Sequence, residues 1–159
     1  MTQKTFYLTK QKLKELKQEH KDLLNFEYLK TKGDTPKIFQ SEDINPEYLA
    51  FQEDLSFLRS RIVELENILQ DHELIKSPPK NKQNLVGLGA KVGVAVEQEK
   101  DEFTIVGTLE ANPSLGKISN ESPVGKALIG HMVGEEVIVS SPIKVIYKIV
   151  KISYPSTSV

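Results

Sequence analysis

Residues 48–69, YLAFQEDLSFLRSRIVELENIL, place Tyr48, Phe51, Leu55, Leu58, Ile62, Leu65 and Leu69 at alternating steps of three and four. That alternation averages about 3.5 residues per turn, so on a helix it keeps one narrow apolar stripe facing a partner helix. Pro46 suits the first turn of this helix, with Asn45 as its N-cap. Running to Gln70 or Asp71, the helix has about 26 residues and spans about 39 Å at 1.5 Å per residue. Directly before it lies the acidic stretch Ser41-Glu42-Asp43-Ile44-Asn45-Pro46-Glu47. If the segment before that stretch is the partner helix, the loop becomes the tip of a rod.

A partner is available. Thr9 can cap a helix from Lys10, with Leu13, Leu16, His20, Leu23 and Leu24 on one face. Its exposed side is rich in lysine: Lys10, Lys12, Lys14, Lys17 and Lys21. Gly33 and Pro36 then interrupt the pattern, and the first regular helix is expected to end near Thr31. An antiparallel pairing lets each helix bury the other's seam.

The pattern changes after residue 75. Lys76 to Asn84 is polar, carries Pro78 and Pro79, and reads as a linker. Beyond it the apolar period becomes two. Val92, Val94 and Val96 alternate, as do Phe103 and Ile105, Val137 and Val139, and Val145, Tyr147 and Ile149. These are four strand candidates. One short helix sits among them, capped by Ser122, begun by Pro123 and closed by Gly130. The expected class is α+β, with a helical hairpin over 1–75 (tip at about 33–46), a linker over 76–84 and a strand-rich domain over 85–159.

Composition narrows the function classes. The formal net charge is −1, which argues against a strong non-specific DNA-binding protein. Contact with RNA or DNA would need locally segregated charge or a larger partner. The absence of cysteine removes disulfides, thiolate metal sites and cysteine nucleophiles, and suits a reducing cytoplasm. No apolar run reaches membrane-spanning length, so no membrane role is expected.

The ordered motifs of the second half resemble a known family. Ile118-Ser119-Asn120-Glu121-Ser122-Pro123-Val124-Gly125-Lys126-Ala127-Leu128-Ile129-Gly130 is followed by His131-Met132-Val133-Gly134-Glu135-Glu136-Val137. Ile105-Val106-Gly107, the terminal Val150-Lys151-Ile152-Ser153-Tyr154, Glu47-Tyr48 and Arg61-Ile62 add to the match. Together with the lysine-bearing helical hairpin they resemble the Gre transcript cleavage factors of bacteria. The resemblance implies an antiparallel coiled-coil hairpin joined to a domain like the FK506-binding proteins. It implies a transcription elongation factor, not itself an enzyme, that binds RNA polymerase as a monomer. The globular domain would dock at the rim of the polymerase secondary channel. The hairpin would enter it, reaching the RNA 3′ end. Tip acids would then help hold a Mg²⁺ shared with the polymerase active site, and the polymerase would cleave backtracked RNA.

The tip departs from the family pattern Gly-Asp-Leu-x-Glu-Asn-Ala-Glu-Tyr. Aligned without gaps from Glu47-Tyr48, the two acidic positions fall on Ser41 and Ile44, which offer no carboxylate. With two loop residues deleted, Asp43-Ile44 matches Asp-Leu, and Glu42 stands beside it. The gapped alignment makes Asp43 and Glu42 the metal-assisting acids, because Mg²⁺ prefers hard oxygen ligands. The ungapped one makes the chain a channel-occupying regulator without cleavage-stimulating activity. As plain loop acids, Glu42 and Asp43 would only sit favourably near a helix N-terminus.

The remaining candidates follow from the same resemblance. Asn45, Glu47, Lys10, Lys14, Lys17 and Lys21 could contact RNA or polymerase, and Ser122, Pro123, Ile129, Gly130, Met132 and Val133 could form the docking surface. Each has a plainer role: solvated helix face for the lysines, a helix cap for Ser122, packing for the aliphatic residues. Gly33-Asp34 reads as a turn. His20 falls on the seam, and His72 and His131 lack a local ligand cluster, so no metal is assigned to the chain alone. A peptidyl-prolyl isomerase or chaperone is the remote alternative. It rests on fold likeness only, and the strands offer few aromatics (mainly Phe103 and Tyr147) for a proline pocket.

Overall fold

The computed structural model describes residues 4–33, 46–140 and 143–155. The chain divides into two units, one spanning Leu13–Asp71 and the other made of Thr2–Lys12 and His72–Val159. The class is mixed α+β, two long helices and a curled, mostly antiparallel sheet.

Helix α1 runs Lys10–Lys32 and α2 runs Pro46–Gln70. The Thr9 hydroxyl accepts the Lys12 N–H at 3.2 Å, the expected N-cap. Asn45, the expected cap of α2, lies outside the described residues. All seven seam positions of α2 are covered. Leu58, Ile62 and Leu65 are buried and Tyr48, Phe51, Leu55 and Leu69 half-buried, whereas Leu49, Phe57 and Val63 between them are exposed. Ile68 joins the buried set.

The α1 face is less apolar than expected. Leu16 is buried and Leu13, His20 and Leu23 are half-buried, but Leu24 is exposed. The three-four rhythm continues instead through Glu27 and Lys30, both half-buried. Polar partners on α2 explain this. Glu27 takes the Arg59 guanidinium at 2.7 Å, Lys30 reaches Asp54 at 3.3 Å, and His20 Nε2 lies 3.2 Å from Glu66. As the α1 member advances from His20 to Lys30, the α2 member retreats from Glu66 to Asp54. The helices are therefore antiparallel.

In the other unit, a five-stranded sheet has the order β5-β4-β3-β7-β6. The strands are β3 (Lys91–Val96), β4 (Glu99–Val106), β5 (Lys117–Ser119), β6 (Glu136–Val139) and β7 (Val145–Ser153). All neighbours are antiparallel except β4 and β5. The four strands expected from alternation are all present. Val92, Val94, Ile105, Val137 and Ile149 point into one core with Val86, Ala90, Ile118 and Leu128. Burying each of the valine, leucine and isoleucine side chains contributes about 1.5–3 kcal/mol. The β3–β7 register slips at Gly93/Val94, so the inward set of β7 shifts from Ile149 to Ile152 with Val150 left exposed. Helix α3 (Pro123–Leu128) covers the sheet beside β5 and β6.

Besides β5, two more strands lie outside the four expected from alternation. β1 (Phe6–Leu8) and β2 (His72–Leu74) form a separate parallel pair. The loop after β4 locks β1 in place. A side chain at Gly107 would run into the Tyr7 carbonyl oxygen, and Glu110 accepts both the Thr9 N–H at 2.9 Å and the Thr9 hydroxyl at 2.6 Å. Among the described residues, no helix is long and apolar enough to cross a membrane.

Candidate functional site

Ser41, Glu42, Asp43, Ile44, Asn45 and Asp34 lie outside the described residues, so the alignment of the acidic stretch rests on sequence. The helices that flank it are described. Glu47 stands in the first turn of α2, where negative charge is favoured. Lys10, Lys14, Lys17 and Lys21 are all exposed, and their steps of four, three and four align them as one stripe along α1. That stripe runs beside the seam, not across from it, because Leu13, Leu16 and His20 each sit next to one of these lysines in sequence.

The helix pair is fastened at its midpoint by Arg61. Its Nε donates to Glu19 Oε1 at 2.7 Å and a terminal nitrogen to Glu19 Oε2 at 3.0 Å, while the other terminal nitrogen reaches Glu64 at 2.9 Å. Hydrogen bonds donated to Glu19, then to Glu64, hold the guanidinium above its ordinary value. Farther along, Lys30 Nζ lies over the Phe51 ring at 5.5 Å and the Phe26 ring at 5.9 Å. Phe26, Tyr28, Leu29 and Phe57 remain exposed.

The second group of candidates is built around α3. Ser122 Oγ accepts the Gly125 N–H at 3.1 Å and donates to the Ser119 carbonyl at 2.6 Å, so its hydroxyl is consumed by the cap. Pro123 fills the first helical position and is exposed. At the other end of this six-residue helix, about 9 Å away at 1.5 Å per residue, Gly130 turns the chain with φ +87°. Ser122 and Pro123 therefore stand apart from Ile129, Gly130 and Met132, at opposite ends of one short helix.

From Ile129 to Glu135 every turn is pinned. Gly130 N–H donates to the Val86 carbonyl at 2.9 Å, and Val86 N–H returns to the His131 carbonyl at 3.0 Å. Glu135 N–H donates to the Met132 carbonyl at 3.2 Å, closing a tight turn whose third residue, Gly134, has φ +93°. One Glu135 oxygen accepts from His131 Nδ1 at 2.6 Å and from the Met132 N–H at 3.1 Å. Those two bonds, the backbone one first, hold the Glu135 carboxyl below its ordinary value. The clip leaves Ile129, Met132 and Val133 exposed on a rigid loop.

Leu85 completes that surface, although no local pattern marks it. An isolated antiparallel bridge pairs Leu85 with Met132, and the Tyr154 hydroxyl donates to the Leu85 carbonyl at 2.6 Å. Burial raises the Tyr154 phenol above its ordinary value. Leu85 is 42% exposed despite being an apolar residue at the end of a polar stretch, and only its partner across the bridge shows why it matters. His20 Nε2 lies beside Glu66 and His131 Nδ1 beside Glu135. Among the described residues, no group of three or more histidines and carboxylates could hold a metal ion.

Comparisons with known proteins give the family. Residues 80–154 match the family model for the C-terminal part of the transcription elongation factors GreA/GreB. The transcription elongation factor GreA of Thermomicrobium roseum is 36% identical over 144 residues, covering 89% of this chain and 92% of that protein. The GreA of Clostridium acetobutylicum is 40% identical over 150 residues, covering 88% and 90%. Among solved structures, the GreA factor homolog 1 (Gfh1) protein of Thermus thermophilus is similar at 24% identity, with a TM-score of 0.42 over 94% of this chain and 99% of that one. At these identities over nearly the whole length of both sequences, the chain belongs to the GreA/GreB family of transcription elongation factors.

Proposed function

We propose that this chain is a transcription elongation factor that binds RNA polymerase at the secondary channel and stimulates the polymerase's own cleavage of backtracked RNA. The observation that carries the reading is the family match along about nine-tenths of the chain, which takes in both the helical and the sheet-bearing unit. In this reading α1 and α2 form an antiparallel coiled-coil hairpin, and the sheet unit is an FKBP-like domain that docks on the polymerase. The protein acts in the cytoplasm as a monomer and is not itself an enzyme.

Each group of residues then has a role. The Lys10, Lys14, Lys17 and Lys21 stripe meets the phosphates of RNA near its 3′ end or acidic polymerase surface. Ser122 and Pro123 at one end of α3, and Ile129, Gly130, Met132 and Val133 at the other, contact the polymerase. Glu42 and Asp43 are the tip acids, with Asn45 and Glu47 beside them. Their carboxylates are hard oxygen donors of the kind Mg²⁺ takes. The shared Mg²⁺, when bound, supplies charge neutralisation at the reacting phosphate. The chain's own contribution is to bring one or two carboxylates to it.

The test is RNA cleavage by a stalled bacterial polymerase with and without the protein. Cleavage should rise with the factor, and reversing charge at Glu42 and Asp43 together should abolish the gain while polymerase affinity stays. Binding without any enhancement, at any factor concentration, would instead leave a channel-occupying regulator.

A further inference from the structure

Met132 is the one sulfur in this chain other than that of Met1, since there is no cysteine. Its side chain is 43% exposed, so a small oxidant reaches it without any opening of the fold. Met132 pairs with Leu85 across an antiparallel bridge, and on the same loop Ile129 and Val133 are also exposed, by 37% and 54% against 42% for Leu85. Its backbone cannot withdraw, because the Met132 N–H is held by Glu135 and its carbonyl by the Glu135 N–H. A polar donor is already poised beside the sulfur: Asn84 Nδ2 lies 3.8 Å away.

We propose that Met132 is an oxidation site at which hydrogen peroxide makes the sulfoxide and so weakens binding through the Leu85–Ile129–Met132–Val133 surface. The sulfur lone pair attacks one peroxide oxygen, an S–O bond forms and the O–O bond breaks. Sulfur is oxidised by two electrons, and the departing oxygen takes a proton and leaves as water. The product turns a flexible apolar side chain into a polar one in the middle of an apolar surface. Asn84 favours the oxidised form, because its amide can donate to the new oxygen far better than to a thioether. Thiol oxidation, the commoner redox switch, is closed to a chain without cysteine.

The inference rests on the reading of this surface as polymerase-contacting, and the experiment separates the two. The full chain is treated with hydrogen peroxide, peptide mass mapping scores Met1 and Met132 individually, and affinity for bacterial core RNA polymerase is measured before and after. Oxidation of Met132 should weaken binding about tenfold, the scale of burying one poorly paired polar group. A sulfoxide reductase should restore it. Met132→Leu, compared with itself before treatment, should lose nothing on exposure to peroxide, although it retains Met1. Complete oxidation of Met132 with unchanged affinity, or an equal loss in Met132→Leu, overturns the proposal. Val133→Asp is the separating arm. If it weakens binding while oxidation does not, the surface docks but the switch is absent. If neither matters, the docking reading fails and the switch with it.

Discussion

Arg61 and Glu19 face each other as a two-pronged pair across the helix seam, at 2.7 and 3.0 Å. Both side chains are more than a third exposed, so solvent screens the attraction. A double-mutant cycle of Arg61→Ala and Glu19→Ala should give a coupling of about 0.5–1 kcal/mol in low salt, shrinking as salt is added. A coupling of zero at low ionic strength would mean that the fork geometry adds nothing to helix pairing.

The glycines at 107, 125 and 130 should respond differently to alanine. A side chain at Gly107 meets the Tyr7 carbonyl and one at Gly125 meets the Ser119 carbonyl, whereas nothing lies within 4 Å of one at Gly130. Gly107→Ala and Gly125→Ala should each cost about 1–3 kcal/mol or more, because backbone must shift. Gly130→Ala carries only the cost of a left-handed φ, about 1–2 kcal/mol. Urea denaturation checks the order. A Gly130 variant as damaged as the other two would show that the turn, not the close approaches, governs stability here.

Glu135 predicts a pH effect with a definite sign. In the folded protein, the Met132 N–H and the His131 ring keep its carboxyl below the ordinary value of 4.5. Unfolding lets that value return, so the stabilisation is complete above the ordinary value and disappears as pH falls through the folded one. Melting temperature should therefore fall less steeply on the acid side in Glu135→Gln than in the parent. Parallel curves would show that the clip does not discriminate between the charged and protonated forms.

Periodicity carried most of the fold. The α2 stripe, the four alternating strands and the Ser122 cap are local patterns long enough to be read from one segment alone. β1 and β2 are not, because three residues such as Phe6–Leu8 cannot display a period, and their partner lies 66 positions away. Leu24 misled for a related reason. An apolar residue was expected at the seam, but the helix rhythm placed Glu27 and Lys30 there, with Arg59 and Asp54 waiting across the gap. The candidate site was legible only in part. Ile129, Met132 and Val133 lie within five residues of one another, whereas Leu85 joins them through a bridge to a residue 47 positions away, which leaves no local signature.

The two ends of the helix pair are held by different forces. Where α1 begins and α2 finishes, Leu16, Leu58, Ile62, Leu65 and Ile68 are buried, and apolar burial is nearly indifferent to dissolved ions. Toward the end of α1 the same rhythm is kept by Glu27 and Lys30 with their partners, and such pairs weaken within a Debye length that shrinks as salt rises. Ionic strength is thus a dial that turns this end of the pair further than the other, where Arg61–Glu19 and His20–Glu66 are screened too but buried leucines and isoleucines remain. The helices can loosen near residues 30 and 54 while the seam at Leu16 and Leu65 stays shut.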